Sequence, residues 1–139
     1  MENQGNRLSW RNAKAPSGII DWSELRSTAP GEVRFAYAAC YLITPRDLES
    51  CVIEAGSSDD YRIYLNGTQT LEYATGRVEI DQPRSYPRIK DRITGLKLNA
   101  GTNVLVLKMV ARSEGWTGSV KICDAEGNAL PNVRLTTAP

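Results

Sequence analysis

Short runs rich in Val, Ile, Leu and Tyr are separated along this chain by clusters of Gly, Pro, Asn and Asp, and in several runs apolar and polar positions alternate with a period of two. That period belongs to strands half-buried against a core, because successive side chains of a strand point to opposite faces. The runs are FAYAACYLI (35–43), CVIEA (51–55), YRIYLNG (61–67), QTLEYA (69–74), ITGLKLN (93–99), NVLVLKMVA (103–111) and SVKICDA (119–125), with short entering strands at 7–10 and 18–20. In CVIEA, Cys51, Ile53 and Ala55 share a face. In YRIYL, Tyr61, Ile63 and Leu65 share one face while Arg62 and Tyr64 take the other. NVLVLKMVA is almost continuously apolar, which predicts a central strand buried on both faces. Asn66-Gly67 predicts a tight hairpin, because both residues accept positive φ. The segment SELRS (23–27) predicts one helical turn at most, capped by Asp21 or Ser23. Residues 77–92, RVEIDQPRSYPRIKDR, carry no pattern, and their two prolines predict a long extended loop, of the length at which loops carry function.

About eight strands at regular spacing, with no linker and no repeat, predict an all-β fold: an antiparallel β-sandwich of jelly-roll type. A length of 139 residues fits a single module over 1–139, with 1–32 as an irregular lead-in packed on the sandwich.

Composition narrows the function classes. The chain is 41% hydrophobic and 24% charged, which suits a globular core. Its 17 basic and 16 acidic residues leave a net charge of +1, so electrostatics makes no case for nucleic acid. No apolar run of about 18 residues is present to cross a membrane as a helix. The absence of histidine removes the commonest general base and the commonest metal ligand together. No phosphate loop, dinucleotide fingerprint or nucleophile elbow is found. The start, MENQGNRLSW, lacks a signal-peptide pattern, which leaves a cytoplasmic protein or a module of a longer secreted one.

Cysteines stand at 40, 51 and 123 without a CxxC. A turn centred at 45–46 would set Cys40 opposite Cys51 across a hairpin. Cross-strand Cβ atoms lie about 4.5–5.5 Å apart, longer than a disulfide prefers. The favoured reading is two small buried hydrophobes.

The acidic turn GSSDD (56–60) has three readings. As a catalytic pair, Asp59 and Asp60 are adjacent and would point to opposite faces of a strand, whereas a glycosidase pair faces across a cleft of about 5–10 Å. An enzyme built on Asp59, Asp60 or Asp81 is the least favoured class. As a metal loop, the turn offers clustered oxygens of the kind calcium takes. As a turn, Asp and Ser bond their own backbone and start a strand, and this reading is favoured.

Aromatic residues supply the binding candidates, since a sugar ring is held by an aromatic plate and a few directed polar groups. Tyr86 lies between Arg84 and Arg88 in the proline-bounded loop, either as a clamp for an acidic sugar or phosphate or as a loop anchor. Trp116, in a glycine-flanked loop, either caps the sandwich or faces a ligand. Tyr64 is a sheet-surface aromatic or packs across strands with Tyr73. Trp10 and Trp22 are expected to pin the lead-in to the sandwich.

Four pieces occur in order: GSSDD (56–60), YRIYLNG (61–67), LKLNAGTNVLVLKMV (96–110) and EGWTGSVKICDAEGNALP (114–131). Over about residues 33–134 the chain resembles the galactose-binding-domain-like β-sandwich modules of bacterial sugar-processing and other extracytoplasmic proteins. The shared features are the acidic turn, the strand ending in LNG, and Leu98, Gly101, Asn103, Lys108 and Trp116. Asp60 stands where the family has glycine, and the loop RSEG before the tryptophan is short. The resemblance implies a non-catalytic, carbohydrate-binding accessory module of a larger extracytoplasmic bacterial protein. Arg84, Tyr86, Arg88 and Trp116 would then hold the glycan, and Asp59 and Asp60 a structural calcium. The alternative is a structural or protein-contact module that meets neighbouring domains of a parent chain and takes no sugar.

Overall fold

A computed structural model describes residues 10–15, 18–22, 34–73, 91–111 and 117–139. Among these residues the strands are β1 (Ile20–Asp21), β2 (Arg34–Thr44), β3 (Leu48–Ser57), β4 (Tyr61–Leu65), β5 (Thr68–Tyr73), β6 (Asp91–Leu98), β7 (Gly101–Ala111), β8 (Thr117–Cys123) and β9 (Arg134–Thr136). They form two antiparallel sheets, one in the order β1-β8-β3-β6 and one in the order β5-β4-β7-β2-β9.

The pairing is nested. β1 pairs with β8, β2 with β7, β3 with β6 and β4 with β5. A long antiparallel ribbon folded this way onto itself is a jelly roll, with β9 added at the free edge of β2. One core fills the space between the sheets, built from Leu42, Cys51, Ile53, Ala55, Tyr61, Ile63, Leu98, Leu107 and Met109 among others. The alternation expected of YRIYL holds, with Tyr61, Ile63 and Leu65 buried.

Four expectations change. First, β7 is central in its sheet but is buried on one face only: Asn103, Leu105, Leu107 and Met109 face the core, and Val104, Val106, Lys108 and Val110 are half-buried on the other side. Two sheets packed face to face give each only one inner surface. Second, β2 and β3 do not form a hairpin. The chain crosses from one sheet to the other between them, so Cys40 stands opposite Leu105 and Cys51 opposite Leu96. All three thiols are free, and burial pushes each of them upward in pKa. Third, a register shift between Ile63 and Tyr64 sets Tyr64 opposite Gln69, while Tyr73 pairs with Tyr61. Fourth, Trp10 is 74% exposed rather than packed on the sandwich, whereas Trp22 is buried beside Gly118 and Leu107 as expected. Of the strand expected at 7–10 only Trp10 is described, and it is not in a strand. The helical turn at 23–27 lies outside the described residues.

The pole that carries the β4–β5 and β6–β7 turns is held by two asparagines. Asn66 and Gly67 turn the hairpin with φ of 50° and 80°. The Asn66 side-chain carbonyl accepts the Val104 N–H at 2.8 Å, and its amide donates to Asn103 Oδ1 at 2.9 Å. Asn103 is fully buried. Its Oδ1 also accepts the Asn99 N–H at 2.9 Å, and its Nδ2 donates to Asn99 O at 2.8 Å and Leu42 O at 3.3 Å. Two of the motif residues that carry the resemblance therefore lock two turns together. Nearby, the Asp47 carboxylate is held below its usual pKa range by the Ala100 N–H that it accepts and then by its pairing with Lys97.

Candidate functional site

The opposite pole is where β1, β3, β5 and β7 end and β2, β4, β6 and β8 begin. The acidic turn sits there. Ser57 Oγ accepts the Asp59 N–H at 3.1 Å, and Asp59 Oδ1 accepts the Asp60 N–H at 2.9 Å. Ser58 donates its N–H to Thr117 O at 2.9 Å and accepts the Thr117 N–H on Oγ at 2.9 Å. The Asp60 carbonyl accepts the Val110 N–H at 2.9 Å. The turn thus ties β3 and β4 to β7 and β8. Tyr61 adds a hydroxyl bond to the Asp91 carboxylate between the two sheets.

Asp59 and Asp60 are buried in this turn, which fits the favoured reading of GSSDD. Calcium takes roughly six to eight oxygens. Among the described residues no third carboxylate, cysteine or histidine joins the pair as a metal cluster. Arg84, Tyr86 and Arg88, between β5 and β6, and Trp116, between β7 and β8, lie outside the described residues, as does Asp81.

A second surface lies on β2 and β7. β2 turns its smaller side chains inward: Ala36, Ala38, Cys40 and Leu42 pack on the core. Its larger ones face out: Phe35 is 57% and Tyr37 46% exposed, and Tyr41 and Ile43 follow half-buried on the same side. A strand that hides alanines and shows aromatics reverses the usual apportioning of apolar surface. The neighbours of this row on β7 are Val110, Lys108, Val106 and Val104, opposite Phe35, Tyr37, Ala39 and Tyr41. On β4, Arg62 stands opposite Lys108 and Tyr64 opposite Val106.

The Lys108 ammonium lies over both exposed rings, 5.1 Å from the Phe35 centroid and 5.5 Å from that of Tyr37. Ring quadrupoles attract a cation at this range. The contact fixes the end of a side chain that otherwise rotates freely. The result is an aromatic platform with a placed positive charge, bordered by aliphatic residues. Such a surface can stack against the C–H face of a ring and pair with an anion.

Reading the sequence placed Phe35, Tyr37 and Lys108 on strands but not in a site. The signal was present in the charges. Arg62 in YRIYL and Lys108 in LVLKMV must avoid the core, so whatever stands opposite them on β2 must also face outward. Applying that rule requires the register, which depends on which strands pair.

No protein-family model matches this chain, and neither a curated protein nor a solved structure matches it.

Proposed function

We propose that this chain is a non-catalytic accessory module that binds carbohydrate on the outer face of its five-stranded sheet, in a β-sandwich of galactose-binding-domain-like kind belonging to a larger extracytoplasmic bacterial protein. The exposure of Phe35 and Tyr37 beside the placed Lys108 ammonium carries this reading. The two rings alternate along one strand, about 7 Å apart by strand rise, so they offer consecutive stacking plates. The acidic turn is engaged in its own backbone bonds and in the tie from Ser58 to Thr117, which disfavours a catalytic pair there. Phe35 lies near the pole where the strands flanking the loops of Arg84, Tyr86, Arg88 and Trp116 end, so those loops are the candidates for extending the site.

The aliphatic border of Ile43, Val104, Val106 and Val110 favours a second reading, a flat contact with a neighbouring domain. Titration of the labelled protein with pooled neutral and acidic oligosaccharides, followed by amide chemical shifts, separates the two. Saturable shifts at 35–39, 62–64 and 106–110 are expected, and Phe35→Ala or Tyr37→Ala weakens binding about five-fold each, from stacking of about 1 kcal/mol. Shifts confined to 84–88 and 116–118 would move the site to the pole. No shift with any pool sinks the carbohydrate reading in favour of the contact surface.

A further inference from the structure

We infer that the Asn66-Gly67 peptide is a site of spontaneous deamidation, whose rate is set by the asparagine pair at its pole and whose product breaks that pair. The inference goes beyond the carbohydrate reading and does not depend on it. Asn66-Gly67 is the single Asn-Gly step in the sequence. It forms the exposed tip of the β4–β5 hairpin, outside the ladder that closes on Leu65 and Thr68. Gly67 has no side chain to shield its nitrogen, and among the described residues even a Cβ there would meet nothing within 4 Å. That nitrogen is the nucleophile of deamidation, and the Asn66 carboxamide beside it is the electrophile. The chemistry uses water alone. The Gly67 nitrogen attacks Asn66 Cγ and loses its proton, and the Cγ–Nδ2 bond breaks to release ammonia, leaving a succinimide. Water then opens the ring. Cleavage between Cγ and the Gly67 nitrogen gives aspartate. Cleavage between that nitrogen and the backbone carbonyl carbon gives isoaspartate, with an extra atom in the main chain. Nothing is oxidised or reduced.

The fold holds the first step back. Attack requires the carboxamide to turn toward Gly67, and that breaks both of its bonds, from the Val104 N–H at 2.8 Å and to Asn103 Oδ1 at 2.9 Å. Deamidation therefore proceeds from the minor population in which this pole has opened. The product reverses the sense of one contact. A carboxylate has no N–H to donate, so its oxygen would face Asn103 Oδ1, acceptor against acceptor. Turning Asn103 over to offer its amide would sacrifice its bonds to the Asn99 and Leu42 carbonyls and from the Asn99 N–H. In isoaspartate the extra main-chain atom also spoils a turn whose two central residues hold positive φ. Either product frees the β4–β5 turn from the β6–β7 turn.

The test incubates the intact chain in mildly alkaline buffer, native and in concentrated urea, and follows position 66 by peptide mass spectrometry with an isoaspartate assay. Each of the two hydrogen bonds lowers the open population about five-fold, so the native rate should be about twenty-five-fold below that of the unfolded chain. Asn103→Leu removes one of the two bonds and should raise the native rate about five-fold, with circular dichroism confirming that the variant is folded. Asn66→Asp carries the product from the start, and it and the aged protein should both unfold at lower urea than the fresh parent. Absence of isoaspartate at 66 in urea overturns the inference, as does its absence from the native protein over an incubation many times longer than the half-time in urea. Equal native and unfolded rates, or an Asn103→Leu variant that ages no faster than the parent, overturn the control by the pair. An Asn66→Asp variant as stable as the parent overturns the effect of the product.

Discussion

Replacing Asn103 tests the reasoning about the fold most sharply. The side chain is 0% exposed and makes three short hydrogen bonds: from the Asn66 amide at 2.9 Å, from the Asn99 N–H at 2.9 Å and to the Asn99 carbonyl at 2.8 Å. Asn103→Leu keeps a similar volume, so the loss isolates polar satisfaction from cavity formation. At about 1 kcal/mol net for each bond, the three contribute about 3 kcal/mol. Asn66 and Asn99 lie at the exposed pole, so water recovers part of what they lose. Leu42, by contrast, is fully buried near the end of β2, and its carbonyl loses its bond from Nδ2. The expected destabilisation is therefore about 2–3 kcal/mol, a large share of the roughly 5–15 kcal/mol of an ordinary domain. Urea unfolding followed by far-ultraviolet circular dichroism should show a lower midpoint at unchanged slope. Asn66→Ala should cost about 1–2 kcal/mol, and the double variant should cost less than the sum, because both changes remove the same Asn66–Asn103 bond. An Asn103→Leu variant within about 0.5 kcal/mol of the parent would refute the role assigned to this pair.

Two further predictions concern the core. A Cβ on Gly118 would meet Leu107 Cδ2 and the Trp22 ring, each at 3.1 Å, so Gly118→Ala should destabilise by about 1–2 kcal/mol and shift Trp22 fluorescence, and an unchanged unfolding midpoint would disprove that packing. Burial raises the pKa of all three thiols and so lowers their thiolate fraction near pH 8, which predicts that Cys51 and Cys123 resist alkylation in the native protein, that Cys40 reacts slowly, and that unfolding exposes all three. Rapid native labelling of Cys123, read by mass spectrometry, would contradict it.

Much of the fold was legible in the sequence because it rests on local rules. Apolar runs bounded by turn residues marked the seven longer strands β2 to β8, several of them by period-two alternation, and positive-φ tolerance marked the Asn66-Gly67 hairpin. The choice of turn for GSSDD followed from the short-range bonding habits of Ser and Asp, and the same kind of bond is found there. The misreadings concern partners distant in sequence. A strand–turn–strand pattern at 35–55 suits a hairpin, yet the jelly roll sends β2 and β3 to different sheets, and Cys40 and Cys51 part company. Trp10 and Trp22 are the same residue type in the same lead-in, but Trp22 is buried with its ring against Gly118, where the missing side chain leaves room for it.

Sequence by itself determined that the chain builds short antiparallel strands around one kind of apolar face, since alternation and turn chemistry act within a few residues. Only the tertiary structure decided which side of β2 meets the core. FAYAACYLI alternates small and large apolar residues, so hydrophobicity alone favours burying the large ones. The pairing of β2 with β7 puts Tyr37 beside Lys108, and the cost of burying that charge turns the aromatic row outward. The candidate binding face is a consequence of that long-range register, and no window of the sequence contains it.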